Sequence, residues 1–125
     1  MKIKFIKYRH DLLEPTRAHY NDAGLDCFIQ DGGIVIYPHQ TIKIPLGFGV
    51  KLPDGIMGTM ITRSSKATEG LHSHMSPIDS GYTGEIQLIV TNLSTDKKIF
   101  KKGDKIGQLI FIPFLIAELV ADTEE

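Results

Sequence analysis

The sequence has one cysteine, no tryptophan and few aromatic residues, and its scarcities exclude several classes of protein. A single thiol, Cys27, allows no intrachain disulfide, so the chain is not a disulfide-stapled secreted module and suits a reducing compartment. No apolar run approaches the roughly 20 residues that a membrane-spanning helix needs, so no membrane association is expected. The cytoplasm, or the cytoplasm of a host cell, is therefore the expected location.

An excess of charge of either sign is also missing. Fourteen basic and fifteen acidic side chains give a formal net charge of −1. A general nucleic-acid binder would carry a clear positive excess, so no nucleic-acid partner is expected, and an anionic ligand would need cations placed locally. The 125 residues fit a single domain, residues 1–125, that is large enough for a hydrophobic core.

Short strand-like runs separated by glycine and proline turns fill the chain instead. About nine strands at roughly ten-residue spacing predict an all-β sandwich or barrel. Only the segment 64–70 favours a helical turn. The predicted strands are Lys2–Tyr8, Leu25–Ile29, Ile34–Tyr37, Thr41–Pro45, Phe48–Leu52, Ile56–Thr62, Glu85–Asn92, Lys97–Phe100 and Ile106–Phe114.

The last of these runs is apolar on both faces. Ile106–Phe114 is followed directly by Leu115 and Ile116, where a half-exposed strand would alternate with polar residues. Two interpretations stay open: a central strand of one sandwich, or a strand buried against another subunit.

Two polar segments suggest phosphate and metal binding. Asp26 closes the run Asp-Ala-Gly-Leu-Asp at a strand entrance, where a carboxylate suits a water-mediated contact to Mg²⁺. A simple acidic turn is the alternative. Arg63, Ser64 and Ser65 join a guanidinium to two hydroxyls at a strand-to-helix junction, which suits phosphate oxygens. A serine N-cap beside a solvated arginine is the alternative.

Two further segments contain polar residues that need explanation. Asp79 lies on a tight turn three residues before Tyr82, where it could orient a water or accept a sugar hydroxyl. An exposed hairpin turn is the other interpretation. Gln108 interrupts the apolar strand, and its amide needs a partner that is either a ligand or a neighbouring backbone group.

In this order, the segments Ala-Gly-Leu-Asp, Arg-Ser-Ser, Ile-Asp-Ser-Gly-Tyr-x-Gly and Gly-Asp-Lys-Ile-x-Gln-Leu-Ile resemble the motifs of the trimeric dUTP pyrophosphatase (dUTPase) family, which has phage-encoded members. The resemblance spans residues 23 to 112. It implies a jelly-roll-like β-sandwich that assembles as a homotrimer with active sites between subunits. It also implies Mg²⁺-dependent hydrolysis of dUTP to dUMP and pyrophosphate, which limits uracil in DNA and supplies dUMP for thymidylate synthesis.

The resemblance also assigns roles to residues. Asp79 would be the catalytic residue that orients the water attacking the α-phosphorus, and Tyr82 would pack under the deoxyribose and exclude ribonucleotides. Asp26 would act on Mg²⁺ through a water. The residues holding the triphosphate would be Arg63, Ser64, Ser65 and Gln108. This division suits phosphoryl transfer, which depends on positioning and charge neutralisation.

Two segments depart from the family pattern. In the family, a β-hairpin before the third motif reads uracil through its backbone and commonly an asparagine, whereas residues 71–79 contain no asparagine and have Ser76-Pro77 in place of Gly-Val. Altered base recognition is therefore expected, with Ser73 and His74 as candidate polar contacts. The family's fifth motif, a glycine-rich C-terminal arm, is missing before Glu125, and truncation and natural absence both stay open. Without that arm, catalysis is expected to survive less well than binding.

Alternative functions remain open at this point. A dCTP deaminase-like enzyme would need a glutamate near Ile89, and Glu85 lies four residues earlier. A catalytically weak nucleotide-binding homologue with a regulatory protein partner is the second alternative. Hydrolysis of another deoxynucleotide is the third, because the hairpin segment is altered.

Overall fold

The computed structural model describes residues 1–123, which form short strands and one helix of five residues. The predominance of strands confirms the all-β prediction. No helix among these residues is long and apolar enough to cross a membrane. The elements are β1 (Lys4–Lys7), β2 (Gly24–Phe28), β3 (Ile34–Ile36), β4 (Thr41–Pro45), β5 (Phe48–Lys51), β6 (Ile56–Thr62), α1 (Ser64–Thr68), β7 (Leu71–Ser73), β8 (Pro77–Ile78), β9 (Gln87–Asn92), β10 (Lys98–Phe100) and β11 (Lys105–Pro113).

The strands pair antiparallel in four small sheets. The largest has the order β2-β11-β6-β8, and a second has the order β4-β9-β7. Two further pairs, β1-β5 and β3-β10, complete the structure. Apolar side chains from these strands meet in one core, which includes Phe48, Leu88 and Leu109. The alternation along β4, for example, buries Ile44 and exposes its two neighbours, as a half-buried strand should.

Strand β11 is a central strand, as the first interpretation of its apolar sequence expects, and it also leads into apolar residues that a second subunit could bury. It is central in the largest sheet, between β2 and β6, and Leu109 is fully buried there. Past the strand, however, the apolar side chains face solvent, with Leu115 91% exposed and Leu119 96% exposed. The single chain therefore leaves an unburied apolar segment after β11.

Strands β7 and β8 are not among the strands predicted from the sequence. These strands show that the segment before Asp79 does not form the β-hairpin that the family resemblance implies. β7 pairs with β9, and β8 pairs with β6, so the two strands belong to different sheets. The segment between them therefore crosses from one sheet to the other and forms no hairpin of its own. Pro77 fits this arrangement, because β8 is an edge strand and a proline cannot donate to a ladder.

Two halves of a candidate active site

One half of the candidate site is built around a buried carboxylate. Asp26 is 5% exposed, and its oxygens lie 3.7 Å from Arg63 Nε and 3.6 Å from Lys105 Nζ. Gln108 Nε2 donates to Asp26 Oδ1 at 3.4 Å. A buried carboxylate is costly unless it is paired, so these contacts hold one another in place. We call Asp26, Arg63, Lys105 and Gln108 the Asp26 cluster; with two cations and one acid, it suits an anionic ligand.

Sheet pairing brings the members of the Asp26 cluster together. Gln108 on β11 lies directly opposite Asp26 on β2, so the two side chains share one face. The register shifts between Lys105 and Gly107, and the extra residue of this bulge places Lys105 on the same face as Gln108. The sequence prediction missed Lys105, because it lies three positions before Gln108 and a regular strand would put the two on opposite faces.

Gly24 provides the space for the Gln108 side chain. A Cβ atom at position 24 would lie 3.0 Å from Gln108 Cβ, Cδ and Oε1. The glycine that precedes Leu25-Asp26 in the first motif thus has a packing reason. It lets the amide lie flat against β2 and reach the carboxylate.

Arg63, Ser64 and Ser65 lie where β6 passes into α1. Arg63, with extended backbone, is the N-cap, and no side chain caps the helix, so the interpretation of a serine N-cap is wrong. Both serines are exposed, and their hydroxyls make no hydrogen bond with any residue from 1 to 123. The first N–H groups of a helix also lack intrahelical partners. This junction can therefore donate several hydrogen bonds to an anion.

The other half of the candidate site is the turn that follows β8. Asp79 is exposed, and within residues 1–123 its carboxylate forms no hydrogen bond or ion pair. The turn closes where Tyr82 N–H donates to the Asp79 carbonyl at 3.0 Å. The Tyr82 hydroxyl donates to the Glu85 carbonyl at 2.7 Å, which fixes the ring. Asp79 is thus an acid on a structured turn with its oxygens free.

Backbone contacts fix the position of this turn against the rest of the fold. The Tyr8 hydroxyl donates to the carbonyl of Thr83. Gly49 on β5 lies so close to the turn that a Cβ atom there would be 2.5 Å from the Gly84 carbonyl oxygen. The turn is therefore packed directly on the β5 backbone, and Asp79 is placed without any contact to its own carboxylate.

A cavity of about 330 Å³ lies beside the turn and is lined by His74, Ile78, Tyr82 and Ile89, among others. Ser73, the other predicted base contact, is not part of its lining. Its Oγ accepts the Thr62 N–H at 2.9 Å, between the two main sheets. Of the two residues predicted to contact the base, His74 is therefore the one that faces the cavity.

Within one chain the two halves lie far apart. Ile78 pairs with Gly58 on β6, so Asp79 is level with Met57, and Arg63 lies six residues further along. At about 3.3 Å per residue this separation is roughly 20 Å. A single chain therefore does not bring Asp79 and the Asp26 cluster to the same phosphate group.

The donor set limits how a metal ion could be held. Between residues 1 and 123, no group of three or more His, Cys, Asp or Glu side chains could hold one. The Asp26 cluster offers a single carboxylate that already has two cationic neighbours. These residues fit Mg²⁺ that takes most of its ligands from substrate phosphates and water, which is its common mode in nucleotide enzymes.

Cys27, next to Asp26 on β2, has no chemical role in the site. The thiol is 1% exposed, and burial raises its pKa to about 12, with a further contribution from the neighbouring Asp26 charge. A thiol with so high a pKa is a poor nucleophile at neutral pH. Cys27 is a small core residue.

The family model of the dUTPases matches residues 12–125. The chain belongs to the dUTPase family. It is 35% identical to the deoxyuridine 5'-triphosphate nucleotidohydrolase of Hydrogenobaculum sp., over 99% of this chain and 88% of the relative. It is 37% identical to the enzyme of the same name from Mycolicibacterium vanbaalenii, over 94% of this chain and 79% of the relative.

Solved dUTPase structures share the fold. A mutant dUTPase of Staphylococcus bacteriophage 80alpha with dUpNHpp superposes with a TM-score of 0.90 at 22% identity, covering 99% of this chain and 89% of that one. A mutant dUTPase from phage phi11 of S. aureus, described with a structural Mg(II) ion, superposes with a TM-score of 0.87 at 22% identity. The match covers 99% of this chain and 98% of that one. The predicted jelly-roll-like sandwich of the dUTPase family is therefore confirmed.

Membership of the dUTPase family decides against a dCTP deaminase-like enzyme, and the structure explains why. Ile89, near which the sequence analysis expects the glutamate of a deaminase, lines the cavity with an apolar side chain. The Glu85 carboxylate is engaged elsewhere, because it accepts the Gly47 N–H at 2.8 Å. No free glutamate is thus placed on β9 to act on a base.

Proposed function

We propose that this protein hydrolyses dUTP to dUMP and pyrophosphate with Mg²⁺, thereby limiting uracil in DNA and supplying dUMP for thymidylate synthesis. One observation carries the proposal: a free carboxylate, Asp79, lies on a turn whose residues Ile78 and Tyr82 line a cavity, while the Asp26 cluster and the Arg63–Ser65 junction supply donors for phosphate oxygens. The cavity suits the nucleoside end of a nucleoside triphosphate, and the donors suit its phosphate end. The family relatives carry the corresponding enzyme name.

In this mechanism Asp79 orients the water that attacks the α-phosphorus and accepts a proton from it. The carboxylate suits this role because it is solvated and unpaired on a fixed turn. It also accepts a hydrogen bond from the 3′-hydroxyl, and Tyr82 packs its ring, 48% exposed, against the deoxyribose. A 2′-hydroxyl would meet that ring, so ribonucleotides are excluded. Positioning of this kind accounts for much of the rate in phosphoryl transfer.

The Asp26 cluster neutralises the charge of the leaving pyrophosphate. Arg63, Ser64, Ser65 and Gln108 donate to the phosphate oxygens, and Asp26 would hold Mg²⁺ through a water. The metal, when bound, would supply further positive charge to the phosphate groups. Because Asp26 also holds Arg63 and Lys105, the cations are in place before the substrate arrives.

The roughly 20 Å between Asp79 and Arg63 supports a homotrimer in which each active site takes its two halves from different subunits. Exposed apolar side chains after β11, such as Leu115, support burial against a neighbouring copy. Closed cyclic symmetry then repeats the same heterologous contact three times.

Mixed trimers test the shared site. Asp79→Asn and Arg63→Ala should each be nearly inactive alone, but a refolded equal mixture should regain about a quarter of wild-type activity, since a quarter of the sites draw both intact residues from different subunits. Size-exclusion chromatography with light scattering confirms the assembly. A mixture that stays inactive, although its trimers have exchanged subunits, rejects the shared site.

The substrate is tested by pyrophosphate release from dUTP, dCTP, dTTP and UTP. We expect release from dUTP in the presence of Mg²⁺ and none after chelation. Preferred hydrolysis of another deoxynucleotide would show that the altered segment 71–79 has changed the substrate.

Regulation of a partner protein is the alternative function. Its motivation is that the dUTPase of Staphylococcus bacteriophage 80alpha is described as controlling the transfer of virulence genes. A protein that binds dUTP tightly but releases no pyrophosphate would favour this role. Under either function we propose a cytoplasmic location, with which the reduced, buried Cys27 agrees.

A further inference from the structure

Three side chains form a row across the outer face of the β4-β9-β7 sheet. Lys43 lies opposite Ile89, and the N–H of His74 donates to the Ile89 carbonyl at 2.9 Å, which extends the β7 pairing by one residue. All three line the 330 Å³ cavity that contains Tyr82. Two interstrand spacings separate the backbones of Lys43 and His74, or about 10 Å. A planar base above Ile89 would thus have a polar side chain at each edge.

The backbone of the neighbouring segment has few donors left for a base. The N–H of His74 is bound to Ile89, and the N–H of Ser76 donates to the His74 carbonyl at 3.0 Å. Pro77 has no N–H. Of positions 74–77, only Met75 retains an N–H without a partner among residues 1–123. Recognition by this segment therefore shifts from backbone to side chains.

Both polar side chains of the row are available. Within residues 1–123 Lys43 forms no ion pair. His74 Nε2 lies 3.4 Å from Thr91 Oγ1, which leaves Nδ1 directed to other partners. Thr91 Oγ1 is itself 2.7 Å from Thr41 Oγ1, so this imidazole is held at its far side by a threonine pair.

We propose that Lys43 and His74 read the Watson–Crick edge of the base, and that Lys43 makes the site prefer uracil to cytosine. This proposal rests on the proposed function. Uracil presents a carbonyl at C4, whereas cytosine presents an amino group there. An ammonium is a donor only, so Lys43 binds the carbonyl and faces the amino group without an acceptor. His74 can change tautomer and adapts to either base, which leaves Lys43 as the selective group.

Binding of dUMP and dCMP, measured by calorimetry, tests the inference without requiring hydrolysis. The wild-type chain should prefer dUMP. Lys43→Met should reduce the ratio of the dCMP dissociation constant to the dUMP dissociation constant by about tenfold or more, mainly because dUMP binds more weakly. Lys43→Arg keeps the donor and should retain most of the preference. Lys51→Met is the matched control, since Lys51 is an exposed strand lysine outside the cavity, and it should leave the ratio unchanged.

The outcomes separate this inference from the proposed function. A full dUMP preference in Lys43→Met would overturn the role of Lys43. Equal loss in Lys51→Met would also overturn it, because the effect would then come from net charge. If the wild-type chain prefers dUMP through Lys43 yet releases no pyrophosphate from dUTP, the inference stands and the proposed function fails.

Discussion

The Asp26 cluster and the Asp79 turn position their carboxylates in opposite ways. Asp26 is buried and held by two cations and an amide, so its charge is compensated before any ligand binds. Asp79 is exposed and has no partner within residues 1–123; its position comes from the backbone of the turn and the packing on Gly49. The first half is thus organised by electrostatics and the second by packing.

This difference fits two kinds of chemistry. A group that binds phosphate and metal benefits from fixed, compensated charges, because no reorganisation is then needed when the anion arrives. A group that takes a proton from water needs a lone pair that is free to accept it, and the unpaired carboxylate of Asp79 offers all of its acceptor positions. Each of the next three changes acts on one half and should leave the other intact.

Asp79→Asn should have the largest effect on the rate. It removes the negative charge and the basicity of the carboxylate while keeping the shape, so kcat for dUTP should fall by about a hundredfold to ten-thousandfold. Because the side chain is exposed and unpaired, the unfolding temperature should stay the same. Pyrophosphate release and thermal unfolding measure the two quantities. Asp96→Asn, which changes an exposed carboxylate elsewhere, is the control and should alter neither.

Gly49→Ala should disturb the turn through packing alone. The new methyl group would meet the Gly84 carbonyl at 2.5 Å and the Thr83 carbonyl at 2.7 Å, so the turn must shift. A displacement of about 1 Å can cost about a hundredfold in rate, and overpacking costs about 1–3 kcal/mol of stability. Chemical denaturation and kcat report the two effects. Gly32→Ala, at an exposed position with ordinary space, should show neither; wild-type kcat in Gly49→Ala would contradict positioning by packing.

Asp26→Asn should act on the metal-dependent half. The change keeps an acceptor for Gln108 but leaves Arg63 and Lys105 without their counter-charge. The Mg²⁺ concentration for half-maximal activity should rise about tenfold, and stability should fall by about 1 kcal/mol, because both cations are partly exposed. Magnesium titrations of the initial rate give the first number. An unchanged magnesium requirement would show that Asp26 does not take part in metal binding.

The smallest expected effect concerns pH and the exposed ion pairs of Arg9. Arg9 binds Asp11 and Asp31 and holds the pKa of both carboxyls below their usual range. Their contribution to stability is therefore complete above the unfolded-state pKa near 3.9 and is lost as the pH falls below it. The unfolding temperature of wild type should drop more steeply between about pH 5 and pH 2 than that of Arg9→Gln. Parallel curves would show that these exposed pairs contribute nothing.

The sequence predicts those parts of the fold that have a local cause. Thr41–Pro45 and Ile56–Thr62 are strands with the predicted ends, because alternation and proline or glycine turns bound them. Strands β7 and β8 have three and two residues, and they exist only through pairing with β9 and β6. Local propensity cannot indicate a strand whose cause is a distant partner.

The candidate site divides along the same line. Asp79 and Arg63 are indicated by their residue type and motif, since acids and guanidiniums on turns need a reason. Lys105 joins Asp26 only through the bulge in β11, and Lys43 reaches the cavity only through its register with β9. Ser73, a polar residue in the expected segment, instead binds the Thr62 backbone. The register between paired strands decides which side of a strand faces a ligand. That register cannot be read from the sequence of one strand.

The burial of Cys27 has a practical consequence for observing these halves in solution. With its thiol in the core and its pKa at about 12, the native cysteine should resist alkylating reagents in the folded protein. A cysteine introduced at an exposed position, such as Lys51→Cys, would then be the only thiol that a maleimide dye reaches. Single-cysteine variants for fluorescence measurements of the distance between neighbouring copies can therefore be made without first replacing Cys27.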